Sequence, residues 1–290
     1  MFNTLSFGEL LWDLFPDYKK PGGSPANLAY HLHLFKNKSS LLSRVGSDNN
    51  GDELLNFLSK KDISTHFIQR DPQFPTGLVT VSIDEENEPT YTIHQPAAWD
   101  QIEFTADLSE LAYTLDAFCF ASLSQRNIVS KRTVDLLLEK LPTECLKVFD
   151  LNLRQPFVDK TTILKNIEKS DIIKFNREEY SIVGEWLGSP DTAAKIIDMD
   201  PNKTVLLTLG ADGSELFNSK GRFHQKAYPI QGQGDFVGVG DAFLACFTHL
   251  KLKNTEPQQL LEISNRYAAY VASQQGSMPE IPQEMIELII

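Results

Sequence analysis

Cysteine is scarce: Cys119, Cys145 and Cys246 are the only three in 290 residues, and each sits inside an apolar run. An odd number with no zinc-site spacing argues against a disulfide framework or a metal cluster and for buried thiols in a reducing compartment. Positive charge is short as well. Lys and Arg total 27 against 39 Asp and Glu, a net charge of −12. That balance argues against nucleic acid or an anionic membrane as partner. An anionic substrate would need a local cation or a helix N-terminus to overcome it. No apolar run is long enough to span a bilayer. The start, Met1-Phe2-Asn3-Thr4, lacks the basic region and apolar stretch of a secretion signal. The expectation is a soluble, cytoplasmic protein, without internal repeats, low-complexity segments or long linkers.

What is present is a chain 41% hydrophobic, enough for a large core. From about residue 104 onward, strand and helix patterns alternate. Strands are expected over 116–120, 146–149, 171–175 and 204–209. Helices are expected over 128–140, 160–170, 178–187, 191–199, 241–250 and 257–275. This alternation predicts an α/β fold, a three-layer α/β/α sandwich whose mainly parallel sheet binds ligands at its carboxyl edge. In the N-terminal third, strands over 2–7 and 41–45 alternate with helices over 25–35 and 51–60. Ser24 reads as the first of these helices' N-cap, with Pro25 at its first position. Segments 11–15, 77–83 and 90–94 alternate with strand period, and Asp84-Glu85-Glu86-Asn87 is turn-like between the last two. The expectation is a single domain, 1–290, with strands of a small sheet inserted at about 10–20 and 76–101, placed to cover a pocket and exclude water.

Gly238-Val239-Gly240-Asp241 runs straight into an apolar helix. A glycine turn entering a helix leaves backbone N–H groups unpaired and attracts anions. The helix dipole keeps a first-turn carboxylate such as Asp241 ionised. Donors for developing negative charge and a proton acceptor thus lie side by side, which suits phosphoryl transfer from a nucleotide to a hydroxyl. Upstream, Asp13 leaves a strand, Gly22 and Gly23 let backbone approach a ligand, and Asn27 opens the next helix. Asp13 and Asn27 together suit the hydroxyls of a sugar. Alternation puts Asp150, Asn152 and Arg154 on one side of an extended segment, with Arg154 stabilising a transferring phosphoryl group. Asn176 and Glu179 either close a capping box or act on Mg²⁺ through waters. Gly210 and Gly213, just after Thr208, let the chain turn tightly against phosphate or ribose.

In this order the pieces resemble the ribokinase-like (PfkB) carbohydrate kinases and, within that family, bacterial fructokinases. The similarity runs from Gly8 to Pro282. It includes Arg44-Val45-Gly46 with Asp48 and Gly51, Pro75-Thr76-Gly77, Ala98-Trp99-Asp100, Ser122-Leu123-Ser124-Gln125-Arg126 and Gly276-Ser277-Met278-Pro279. The resemblance implies transfer of the γ-phosphoryl group of ATP to the 6-hydroxyl of D-fructose, with Asp241 as base and Gly238, Val239 and Gly240 as anion hole. It implies that Asp13, Gly22, Gly23, Asn27 and Asn152 hold the sugar, assisted by Arg154. Asn176, Thr208, Gly210, Gly213 and Asn265 would bind nucleotide, Glu179 would organise Mg²⁺ through water, and the small sheet would be a lid that also joins a homodimer. The alternatives are a kinase for ribose, a ketodeoxy sugar acid or a nucleoside, and a catalytically silent sugar- or nucleotide-binding protein. Lid segments poor in Lys and Arg favour a neutral acceptor. The family usually has threonines after the aspartate matching Asp235 and an alanine in the turn. Here Phe236, Val237 and Val239 stand in that stretch. The turn keeps its backbone donors, while the family's monovalent-cation (K⁺) site at Asp235 loses its threonine oxygens.

Overall fold

A run such as Ala117–Ala121, buried at every position, has no polar face to offer water and must lie inside a sheet covered on both sides. The computed structural model, which describes residues 1–83, 89–232 and 234–290, shows that arrangement. The chain begins β1 (Asn3–Phe7), β2 (Leu11–Leu14), β3 (Lys19–Gly22), α1 (Ser24–Leu34), β4 (Lys38–Gly46) and α2 (Asn49–Lys60). It continues β5 (Ile68–Asp71), β6 (Gly77–Ile83), β7 (Pro89–Ile93), α3 (Ala106–Ala112), β8 (Ala117–Ala121) and α4 (Ile128–Lys140). Next come β9 (Leu146–Asp150), α5 (Lys160–Lys169), β10 (Ile172–Asn176), α6 (Arg177–Leu187), α7 (Thr192–Met199) and β11 (Thr204–Thr208). The last elements are β12 (Ser214–Asn218), β13 (Gly221–Gln225), α8 (Val239–Leu252), α9 (Pro257–Ala272) and α10 (Gln283–Glu287).

Among the described residues the main sheet has nine strands in the order β13-β12-β11-β10-β9-β8-β1-β4-β5. Only β12 and β13 run antiparallel to their neighbours. Side-chain alternation makes the two cores. Phe118, Phe120 and Phe149 face the side covered by Val134 and Leu137 of α4, Ile163 of α5 and Val183 of α6. Their neighbours Cys119 and Val148 face Leu28 of α1, Phe243 and Phe247 of α8 and Tyr267 of α9. Burying each such large side chain contributes roughly 1.5–3 kcal/mol. The three thiols are free and buried, and no helix among the described residues is long and apolar enough to cross a membrane.

The strand order positions the site. From β1 the chain steps outward to β4 and β5, then returns to β8 on the other flank of β1. A crevice therefore opens at the carboxyl ends of β1 and β8. A second sheet, β3-β2-β6-β7, is built from the segments that follow β1 and β5. Its Leu11, Asp13, Val79, Tyr91 and Ile93 share a cavity with Glu9 and Leu123, which leave β1 and β8.

Several expectations need correction. The N-cap of α1 is Gly23, and Ser24 is its first residue; the Ser24 hydroxyl is turned to Asp241, to which it donates. Asp150 does not share a side with Asn152 and Arg154. It stays on the β9 ladder beside Lys174, and Asn152, with φ 42°, turns the chain and breaks the alternation. Helix α8 starts at Val239, before Asp241, and α9 stops at Ala272. Strands β3 and β5 carry the charged sequences of sheet edges, with a proline in β3, and periodicity does not find them. The β6–β7 pair is antiparallel as expected, while the turn Asp84–Asn87 lies outside the described residues.

Candidate active site

Helix α8 opens on Gly238, whose φ of 73° suits glycine and where a Cβ would press on the Ser277 side chain. The first N–H groups of a helix have no intrahelical partner, and here no N-cap side chain accepts from them. Gly240 backs onto Lys174, whose Nζ would lie 3.5 Å from a Cβ added there. Val239 points away and packs against the α8–α9 core.

One turn into α8, Asp241 meets the first turn of α1. Ser24 Oγ donates to Asp241 Oδ1 at 2.6 Å, and Asn27 Nδ2 donates to Oδ2 at 2.7 Å. Burial pushes the Asp241 pKa up to about 6, the two hydrogen bonds pull it down, and nearby Asp150 pushes it up again. The group is thus ionised at neutral pH yet able to take a proton.

Asp241 opens onto a cavity of about 560 Å³, a size typical of small-molecule sites at roughly 300–1,000 Å³. Asp13, Gly23, Ser24, Asn27, Asn152, Arg154, Asp235, Phe236, Val237 and Gly238 line it too. The paired glycines are sterically required. A side chain at Gly22 would collide with the Asp13 carboxylate, and one at Gly23, where φ is 114°, would collide with the Glu9 carbonyl. Asp13 lies opposite Lys20 in the β2–β3 register. Burial raises its pKa to about 6, against the pull of Arg154 and Lys20.

Two residues missed in the sequence complete the electrostatics. Glu9 is 2% exposed, lines the cavity, and has an Oε2 with no hydrogen-bond partner. Burial raises its pKa to about 7, a backbone hydrogen bond opposes this, and Asp241 adds to it. Lys174 stands in the apolar strand β10, with Nζ 2.9 Å from both Asp150 oxygens. Burial disfavours its charge, but Asp150 and then Glu179 outweigh that and hold its pKa above the usual value. An isolated lysine between Ile173 and Phe175 is the only sequence signal for it; for Glu9 there is only its place after Gly8 at a strand end.

Asn176, Glu179, Thr208, Gly210, Gly213 and Asn265 do not line this cavity. Asn176 and Glu179 close the capping box: Glu179 N–H donates to Asn176 Oδ1 at 2.9 Å, and Asn176 N–H donates to Glu179 Oε2 at 2.8 Å. The other Glu179 oxygen accepts from Leu153 N–H at 2.9 Å. Thr208 donates to the Phe175 carbonyl, and Asn265 donates to Ser214 Oγ and the Leu261 carbonyl. Gly213 (φ 93°) is hemmed in by the Gln225 carbonyl, whereas Gly210 (φ 61°) faces open space. Among the described residues no group of three or more His, Cys, Asp or Glu side chains could hold a metal. Asp235 accepts from Lys20 Nζ at 2.8 Å, Gly276 N–H at 2.9 Å and Val237 N–H at 3.2 Å. Burial works against its charge, yet these donors hold its carboxyl below the usual range.

Residues 16–284 match the family described as pfkB family carbohydrate kinase. A fructokinase of Vibrio alginolyticus is 28% identical over 297 residues, covering 96% of this chain and 95% of that protein. A fructokinase with bound ATP from Xylella fastidiosa has the same fold, with a TM-score of 0.87 at 20% identity over 99% of this chain and 97% of that one. An uncharacterized sugar kinase from Pyrococcus horikoshii in complex with ATP gives a TM-score of 0.79 at 25% identity, over 96% and 94%. The ribokinase-like sheet, the helix that opens beneath a covered cavity and the family match over nearly the whole chain agree: this protein belongs to the pfkB family of carbohydrate kinases.

Proposed function

We propose that this kinase transfers the γ-phosphoryl group of ATP to the 6-hydroxyl of D-fructose, giving ADP and D-fructose 6-phosphate. The observation that carries the reading is the Asp241 carboxylate, held by Ser24 and Asn27 where the uncapped start of α8 meets the cavity. Asp241 takes the proton of the acceptor hydroxyl as its oxygen bonds to phosphorus and the bond to ADP breaks. The opening N–H groups of α8 and the Arg154 guanidinium balance charge on the phosphoryl oxygens. Asp13 and Asn152 orient the sugar through its hydroxyls. Leu11, Val79 and Ile93 exclude water from above. Mg²⁺ bound to the nucleotide phosphates would supply further charge neutralisation. Because Glu179 and Asn176 already satisfy each other, no step is assigned to a metal held there.

The charges on the wall favour a neutral acceptor. Asp13 and Asp241 face the same cavity as Arg154, and a carboxylate or phosphate on the acceptor would be repelled by them. The test is ADP release with a panel of hexoses, pentoses, nucleosides and a sugar acid. Fructose is expected to give the highest kcat/KM. A higher value for another acceptor would overturn the fructose assignment. Calorimetric binding of sugar and ATP without ADP from any of them would make the protein a silent binder.

A further inference from the structure

The contact between Lys20 and Asp235 joins two parts of the molecule that are 215 residues apart in sequence. Lys20 belongs to β3 of the small sheet, and Asp235 begins the turn that leads into α8. That turn is strained. Phe236 has φ 58°, is 62% exposed, and has no Cβ-free backbone to make this conformation easy. Such a conformation persists only where surrounding contacts over-determine it. Among the contacts here are those on the Asp235 carboxylate, which accepts from the Lys20 ammonium and from the N–H groups of Gly276 and Val237. The same ammonium lies 5.7 Å from the Phe15 ring centre and 5.5 Å from that of Tyr18, two rings stacked 4.6 Å apart. A carboxylate and two aromatic rings thus surround one positive charge.

The resemblance implies a free monovalent cation at Asp235, and the residues present do not fit one. Phe236 and Val237 bring no side-chain oxygen, and the oxygen that faces the small sheet is already taken by an ammonium of the same charge. We propose that Lys20 is a built-in monovalent cation: its ammonium replaces free K⁺ at Asp235, fixes the turn before α8 and ties that turn to the sheet above the sugar site. Lys20 is a positioning residue, acting through the turn that presents the α8 N–H groups and Asp241. The inference rests on the kinase reading for its rate arm alone.

The experiment compares the wild type with Lys20→Ala and Lys20→Gln in matched potassium, ammonium and tetramethylammonium chloride, reading both initial rates and melting temperatures. The wild type is expected to give equal rates and equal melting temperatures in all three salts. Each variant should lose at least about tenfold in kcat in tetramethylammonium. Potassium or ammonium should restore much of that loss and raise the variant's melting temperature, whereas Lys20→Arg should behave as the wild type. Activation of the wild type by potassium beyond about twofold would overturn the proposal. So would variants that are fully active in tetramethylammonium, or impaired in a way that no cation recovers. If no acceptor is turned over, the kinase reading fails, and the melting temperatures decide this proposal alone. Potassium stabilising the variants but not the wild type supports it, and equal responses reject it.

Discussion

The two ends of the candidate site differ in where their carboxyl groups are turned. Around α1 and the start of α8, Glu9, Asp13 and Asp241 are carboxyls whose pKa values burial has pushed up to about 7, 6 and 6. Around the carboxyl ends of β10 and β11, Asn176, Glu179, Thr208 and Asn265 hydrogen-bond within the fold. The first end carries unspent electrostatic capacity, which costs stability and suits a group that must exchange a proton. The second spends its side chains on backbone geometry, so its contribution to a ligand would come through the turns it fixes. The carboxyl groups thus divide by what they face: Glu9, Asp13 and Asp241 line the cavity, whereas Glu179 is taken up by the backbone N–H groups of Asn176 and Leu153.

The sharpest way to break this contrast is Asp241→Asn. It should lower kcat by about 10³ or more, in line with loss of a general base, while circular dichroism shows an unchanged fold. Loss of that buried charge should leave the melting temperature equal or higher. Turnover near the wild-type rate would remove the distinction between the two ends.

The glycines sharpen it next. Gly23→Ala forces a side chain into the Glu9 carbonyl at φ 114°. It should cost roughly 3 kcal/mol in urea unfolding. Gly210→Ala meets open space at φ 61°, so it should cost only about 1 kcal/mol. Equal costs would show that the two backbone ends are equally constrained.

Part of this was legible in the sequence. The glycine turn before Asp241, the strand–helix alternation and the paired glycines after Asp13 are local patterns, and the structure brings Asp13, Asn27, Asn152, Arg154 and Asp241 to one cavity. Glu9, Lys174 and Lys20 were not legible, since burial among carboxylates and a contact across 215 residues leave no periodic trace. Ser24 shows the limit of local rules. Its position satisfies the requirements of an N-cap, but the arrival of Asp241 from α8 gives its hydroxyl a charged acceptor. Short polar strands such as β3 fail for a related reason: an edge is defined by its neighbour rather than by its own sequence.

Glu9→Gln tests the electrostatic half of the comparison. Its folded pKa of about 7 lies above the ordinary 4.5, so the folded state keeps a proton that the unfolded chain releases in between. That difference lowers stability as pH rises through the window. The variant should remove roughly 2–3 kcal/mol of that fall, read as a smaller loss of melting temperature between about pH 5 and about pH 8. An unchanged pH dependence would mean that Glu9 is not held protonated by burial.

The smallest effect is expected at the other end. Glu179→Ala removes the capping box and the acceptor of Leu153 N–H, and should cost about 2 kcal/mol. Turnover should fall modestly through displaced Arg154, and excess Mg²⁺ should not restore it. Recovery by Mg²⁺ would instead place a metal at Glu179 and erase the contrast.

The pH dependence of kcat/KM for phosphoryl transfer tests most directly whether Asp241 takes the acceptor proton. With Asp241 as base, kcat/KM is expected to reach a plateau above about pH 6 and to fall about tenfold per pH unit below it, as the base is protonated. A profile that stays level down to about pH 4 would contradict it, because no group titrating in the cavity would then be accepting the proton.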